Sequence, residues 1–156
     1  MNGIVVDSVE SADLPALHGL YEELTGEACD FDAMRRGFEA MAADRDYVLY
    51  AARSDGVLVG SVMGIVCRKL TRDCRPFLLL ENFIVAASQR RRGVGRRLLL
   101  RVEREALDRG CESIIFVSSM RRPDAHAFYA SMGYALDEVR GFRKKFPPGR
   151  PDAPVT

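Results

Sequence analysis

Several common features are missing from this 156-residue chain, and each absence narrows what it can be. No apolar run approaches the ~20 residues that a bilayer-crossing helix needs. The opening MNGIVVDSVE has no basic region followed by an apolar core, so neither a membrane span nor a secretory leader is expected, and the expectation is a cytoplasmic protein. Cys29, Cys67, Cys74 and Cys111 form no C-x-x-C pair, and only His18 and His126 could supplement them. No metal site is therefore expected, and the thiols read as reduced. Neither charge dominates, with 23 Lys+Arg against 22 Asp+Glu and a net charge of +1. Internal repeats and low-complexity segments are absent too. What remains is a chain of ordinary globular composition, 47% hydrophobic and 29% charged, long enough to bury roughly 68 to 70% of its unfolded surface without a disulfide or metal staple. A single domain over residues 1–146 is expected, with a disordered proline-rich tail at 147–156.

The near-zero net charge hides an asymmetry. Residues 1–67 hold 4 basic and 12 acidic side chains, whereas residues 68–156 hold 19 basic and 10 acidic. Solvated helix faces would account for this, and so would a protein that holds an anion with one half and a cation with the other. Along the chain, Ile4 to Val6 reads as a strand, and Asp13 as the cap of a helix bearing Leu14, Leu17, Tyr21 and Leu24 on one face. Phe31, Met34, Phe38 and Met41 repeat that spacing and predict a second helix from Asp30 to Ala43. Runs 47–53 and 57–67 read as a hairpin around Ser54-Asp55-Gly56. Residues 77–85, FLLLENFIV, read as a central strand in which Glu81 and Asn82 stand out. A long helix from Gly93 to Arg109, a strand SIIFV at 113–117, a helix from Pro123 to Met132 and one or two final strands within 134–146 complete the reading. Strand, helix and strand around Gly93 define an α/β or α+β class with a mixed sheet.

The informative segment is QRRRGVGRR at residues 89–97, between a buried strand and a helix start. Gly93 and Gly95 let a ligand approach the backbone, and the first helical amides have no intrahelical acceptor. With the positive end of the helix dipole they make an anion site, to which Arg90, Arg91, Arg92, Arg96 and Arg97 add potential and phosphate partners. A nucleotide P-loop would need Lys followed by Ser or Thr after the second glycine, and a dinucleotide fingerprint would need glycine where Leu98 stands. Neither pattern fits.

Arg90-Arg91-Arg92-Gly93-Val94-Gly95 resembles the Arg/Gln-x-x-Gly-x-Gly/Ala signature of the GNAT superfamily of acetyl-CoA-dependent N-acyltransferases. The order of parts is similar as well: strand ENFIV before the turn, a long helix after it, strand SIIFV, then AHAFYASMGY at 125–134. The likeness is good from Leu78 to Phe146 and topological before that. Within the superfamily it is nearest to the polyamine and other small-amine acetyltransferases. It implies a mixed, mostly antiparallel sheet of six to seven strands flanked by about four helices and splayed at the strand containing Glu81. It also implies acetyl-CoA as cosubstrate, an amine acceptor and a homodimer as a common assembly; no membrane partner is expected from the hydropathy and no nucleic-acid partner from the few aromatics among the basic residues of the second half. The resemblance carries cofactor contacts onto the backbone of Phe83, Ile84 and Val85, the turn Arg90 to Arg96 including Val94 and Gly95, and Ala125 and Phe128. Arg122 stands where the family often has an Asn that touches the pantetheine arm.

An amine with pKa ~10.4 is neutral in only about one molecule in 2,500 at pH 7, so a group must take its proton. Glu81 is the candidate base, directly or through a water; the other readings are a substrate anchor and a structural carboxylate paired with a neighbouring arginine. Asn82, a candidate substrate contact, faces oppositely in a regular strand, but a bulge would exchange the two. Tyr129 resembles the family's general acid, the alternative being a core tyrosine with an exposed hydroxyl. Full proton transfer from a phenol of pKa ~10 to a thiolate of pKa ~8.5 is uphill by about 2 kcal/mol, so hydrogen bonding to the sulfur is the expected role. Cys111 has nothing nearby to activate it. Glu22, Glu23, Glu27, Asp30 and Asp32 are the acidic candidates for the amine pocket, with Glu27 and Asp30 foremost; a solvated loop is the other reading. A non-catalytic acyl-CoA sensor and a nucleic-acid-binding protein are the competing classes.

Overall fold

The computed structural model describes residues 3–146. Its elements are β1 (Val5–Ser8), α1 (Leu14–Thr25), α2 (Phe31–Ala42), β2 (Tyr47–Ser54), β3 (Val57–Cys67), β4 (Phe77–Val85), α3 (Val94–Asp108), β5 (Ile114–Ile115) and α4 (Pro123–Ser131), with 3-10 turns at Ser11–Asp13 and Ala87–Gln89. The chain forms two compact units, one ending at Phe116 and the other beginning at Val117. None of the described helices is long and apolar enough to cross a membrane.

The first unit is built on a five-stranded sheet in the order β1-β2-β3-β4-β5, antiparallel except for the parallel β4–β5 pair. Local chemistry explains its hairpin: Asp55 (φ 53°) and Gly56 (φ 79°) are both left-handed, the two-residue turn whose twist matches its flanking strands. On one face, Gly60 and Gly64 of β3 admit α3 and the neighbouring strands. An added Cβ at Gly60 would meet Leu98 and Val94, and one at Gly64 would meet Val48 and Leu78. The other face carries α1, whose Leu14, Leu17 and Leu20 form a buried cluster with Val9, Ala51, Leu58 and Ile84. Asp13 flanks α1 as expected, but its carboxylate makes no cap bond to the helix. It accepts instead from the Glu10 amide at 2.8 Å and from both Nη atoms of Arg53 at 2.7 and 2.8 Å.

Two strand expectations are corrected. The sheet has five strands among the described residues rather than six or seven, because residues 134–146 form no strand. Their apolar side chains, Leu136, Val139 and Phe142, recur every third residue and are 58%, 76% and 91% exposed; a strand buries every second one. The strand expected at 113–117 shortens to Ile114–Ile115, paired only with Leu78 and Leu79. β4 itself continues past this point to Val85. In the second unit, α4 begins with Pro123 in its first turn, where a missing N–H is harmless, and is followed by left-handed Gly133 (φ 89°). The expected tail at 147–156 lies outside the described residues.

Candidate functional site

The turn after β4 is set by two left-handed residues, Arg91 (φ 61°) and Gly93 (φ 81°), the latter at the N-cap of α3. No side chain caps this helix. Its first helical bond runs from the Arg97 amide to the Gly93 carbonyl at 3.1 Å, so the amides of Val94 and Gly95 have no acceptor within the helix. A Cβ on Gly93 would meet nothing within 4 Å; glycine is required there by φ, and the space beside it is open. These features fit a diphosphate: unsatisfied amides, the positive end of a helix dipole and room for close approach. The side chain of Val94 is buried in the core, which leaves its amide as the group a ligand can use. Arg91, Arg92 and Arg96 are exposed around the turn. Arg90 is engaged with the protein itself: its Nε donates to the Val85 carbonyl at 3.1 Å and its Nη2 to Glu23 Oε1 at 3.3 Å.

Just before the turn, the register of β3 and β4 slips. Ser61 pairs with Ile84 and Met63 with Glu81, so two steps on β3 span three on β4. The extra residue is a bulge at Asn82, which is left-handed (φ 50°) and exposed. Bulges of this kind re-aim side chains and bend the strand. Here the slip places Glu81 and Ile84 on the same face of the sheet, the face that carries α1. Ile84 is buried there; Glu81 is half-buried, and no cation or hydrogen-bond donor among the described residues reaches its carboxylate. The structural ion pair weighed for Glu81 is not formed. Beyond Leu79, β4 has no β5 residue opposite it. Because the Ala86 amide donates to Val59 on β3 at 2.9 Å, strand alternation directs the Val85 amide to the opposite side, where β5 has ended. Phe83 and Val85 are half-buried.

Of the acidic residues in and after α1, Glu27 is exposed. Asp30 caps α2, accepting from the Ala33 amide at 3.0 Å, and Glu22 accepts from the Cys29 amide at 3.1 Å. Glu23 has a role that residue type and spacing do not reveal: its Oε1 accepts from the Ala87 amide at 2.9 Å as well as from Arg90, tying α1 to the glycine turn. Ser61 is another residue missed in sequence. Its Oγ is wholly buried with no formed hydrogen bond, close to Tyr21, whose phenol is pushed up by burial and partly drawn back by Ser61.

In the second unit, Tyr129 of α4 is 7% exposed, with its ring 5.4 Å from Phe128 and 6.3 Å from Tyr134. Burial pushes its phenol up, opposed by the charge of Arg122 at the start of the helix. The hydroxyl therefore stays protonated and able to donate. Ala125 and Phe128 are half-buried on the same helix. Cys111 is buried, and burial pushes its thiol up, the opposite of activation. A hollow of about 660 Å³ beside Arg72, Arg75 and Glu112 lies at the other end of β4 from the glycine turn. Arg75 there is already bonded to the carbonyls of Gly110 and Cys111.

A bulged central strand leads into a left-handed glycine turn and an uncapped helix, an arrangement suited to an anion, in a mixed α/β fold. Residues 14–134 match the family model of the GNAT acetyltransferases, and the chain belongs to that family, and with it to the acetyl-CoA-dependent acyltransferases. It is 31% identical over 112 residues to glucosamine 6-phosphate N-acetyltransferase 1 of Oryza sativa subsp. japonica, covering 70% of this chain and 66% of that one. The aminoalkylphosphonate N-acetyltransferase of Salmonella typhimurium is 27% identical over 128 residues, 82% of each chain. The structure of glucosamine-6-phosphate N-acetyltransferase from Arabidopsis thaliana superposes with a TM-score of 0.81 at 18% identity, over 93% of this chain and 99% of that one, which is a likeness of fold.

Proposed function

We propose that this protein transfers the acetyl group of acetyl-CoA to a primary amine of a small molecule by direct attack. The observation that carries this reading is the turn at Gly93, where open space, a left-handed glycine and the unsatisfied amides of Val94 and Gly95 meet at a helix start. Those amides hold the diphosphate, with Arg91, Arg92 and Arg96 contributing charge. The Val85 amide, directed to the side where β5 has ended, hydrogen-bonds the thioester carbonyl; one such donor contributes ~2.7 to 4 kcal/mol to the transition state. Glu81 takes the amine's proton as the C–N bond forms and the C–S bond breaks. Its unpartnered carboxylate supports this role, since a carboxylate already paired with arginine is a poor base. Tyr129, buried and protonated, donates a hydrogen bond to the departing sulfur. Glu27 and Asp30 draw the cationic acceptor toward the site.

Calorimetry with acetyl-CoA tests the reading. Wild-type protein is expected to bind, and Gly93→Glu to lose at least a hundredfold in affinity, because a side chain is strained at φ 81° and its carboxylate occupies the anion site. Equal binding by both proteins removes the assignment. Binding without thiol release across an amine library leaves only an acyl-CoA sensor.

A further inference from the structure

α2 is amphipathic, yet none of its residues is fully buried. Between this helix and the sheet lies a hollow of about 250 Å³, lined by Phe38, Met41, Tyr47, Leu49 and Met63, with Ser8 at one edge and no charged side chain in its wall. Met63 places this hollow with respect to the chemistry. It pairs directly with Glu81 across β3 and β4, which sets their Cβ atoms about 5 Å apart on one face of the sheet. The hollow therefore ends one strand from the proposed base.

Its size and lining limit what can enter. An engineered apolar cavity of about 150 Å³ holds benzene, so about 250 Å³ accommodates one ring and a short tether. Phe38, Met41, Leu49 and Met63 give a ring apolar side chains to pack against, and the wall holds no cation to pair with a phosphate. We propose that the acceptor is a primary amine on a short chain bearing a compact apolar group, best an aryl ring, which sits beneath α2 while the nitrogen faces Glu81. This rests on the acetyltransferase reading above and specifies its substrate class. It also sets this chain apart from the relatives whose names specify phosphorylated or phosphonate amines.

The experiment compares thiol release from acetyl-CoA with 2-phenylethylamine, ethylamine and glucosamine 6-phosphate, and follows the methyl resonances of Met41 and Met63 in protein labelled at methionine methyls. The expected result is a kcat/KM for 2-phenylethylamine about tenfold to a hundredfold above that for ethylamine, the range that burying one ring supplies, with both methyl signals shifted by the aryl amine. Leu49→Phe, which fills the hollow, should reduce that ratio to below about threefold. Met41→Phe serves the same purpose if the first variant does not fold. Acetyl-CoA turnover with no preference for the ring, or with both methyl signals unmoved, overturns the aryl-amine inference and leaves the acetyltransferase reading standing. Failure to bind acetyl-CoA overturns both.

Discussion

Helices α2 and α3 carry nearly the same amphipathic pattern and meet different fates. α3 withdraws Val94, Leu98, Leu99, Val102 and Ala106 from water, while α2, with Phe31, Met34, Phe38 and Met41 at comparable spacing, fully buries nothing. The difference lies in what each helix faces. α3 lies over Gly60, where an added Cβ would come within 2.9 Å of the Ile84 carbonyl, 3.1 Å of Leu98 and 3.2 Å of Val94. α2 lies over a hollow whose floor is Leu49 and Met63. Helical periodicity reports which stripe turns inward; the opposing surface decides how far it sinks. The well-packed face fixes the β4–α3 junction, and the shallow face leaves space beside the candidate base.

The largest expected effect breaks this contrast directly. Leu98→Ala removes a side chain that is 0% exposed and should lower unfolding free energy by ~2 to 5 kcal/mol, the range for truncation in a rigid core. Phe38→Ala, at a ring only partly covered, should lower it by about 1 kcal/mol. Urea unfolding of the two variants decides the matter. Similar losses would mean that α2 is as tightly packed as α3 and that the hollow beneath it is closed.

Charge as well as apolar packing holds the start of α1. Arg53 grips Asp13 through two short bonds and reaches Asp7 at 3.1 Å, clamping the start of α1 to β1 and β2. The hydrogen bond from Arg53 holds the Asp13 carboxyl below its ordinary value against the opposing effect of burial, with the Glu10 amide adding to it. A carboxyl depressed in the folded state stabilises the fold above its unfolded pKa, near 4, and that contribution is lost as pH falls through the folded value. Asp13→Asn should therefore cost about 1.5 to 3 kcal/mol at pH 7 and flatten the decline of stability below about pH 4. An unchanged acid limb in the variant would show that the clamp contributes nothing.

Much of this frame is legible in the residues themselves. Asp55-Gly56 announces its hairpin because few other pairs tolerate two left-handed positions, and Gly93 announces its turn for the same reason, with the helix start and arginines beside it. The bulge at Asn82 is less visible: asparagine is only one of several residues that enter the left-handed region, so the sequence permits the exchange of faces between Glu81 and Asn82 without requiring it. The length of β5 could not be read from SIIFV, because it depends on which β4 residues lie opposite, and only Leu78 and Leu79 do. The same holds for Glu23. Charge and position in α1 mark it as one of several acidic candidates, and only the tertiary structure brings it to Ala87 and Arg90, 64 and 67 residues away.

That contact yields the smallest predicted effect and the sharpest use of the comparison. Glu23 belongs to α1, on the face where the acceptor is proposed to sit, while Arg90 belongs to the turn proposed to hold the cofactor. Their ion pair is solvent-accessible, with side chains 38% and 57% exposed, and such pairs contribute about 0 to 1 kcal/mol to stability. Glu23→Gln keeps an oxygen that can accept from the Ala87 amide and removes the charge facing Arg90. If the pair positions the turn, the KM for acetyl-CoA should rise about twofold to fivefold, with kcat and the melting temperature nearly unchanged. A released Arg90 could instead swing toward the phosphates and lower KM, which would identify Glu23 as a restraint on a phosphate ligand. A KM identical to wild type would reduce the link between α1 and the glycine turn to a surface ion pair.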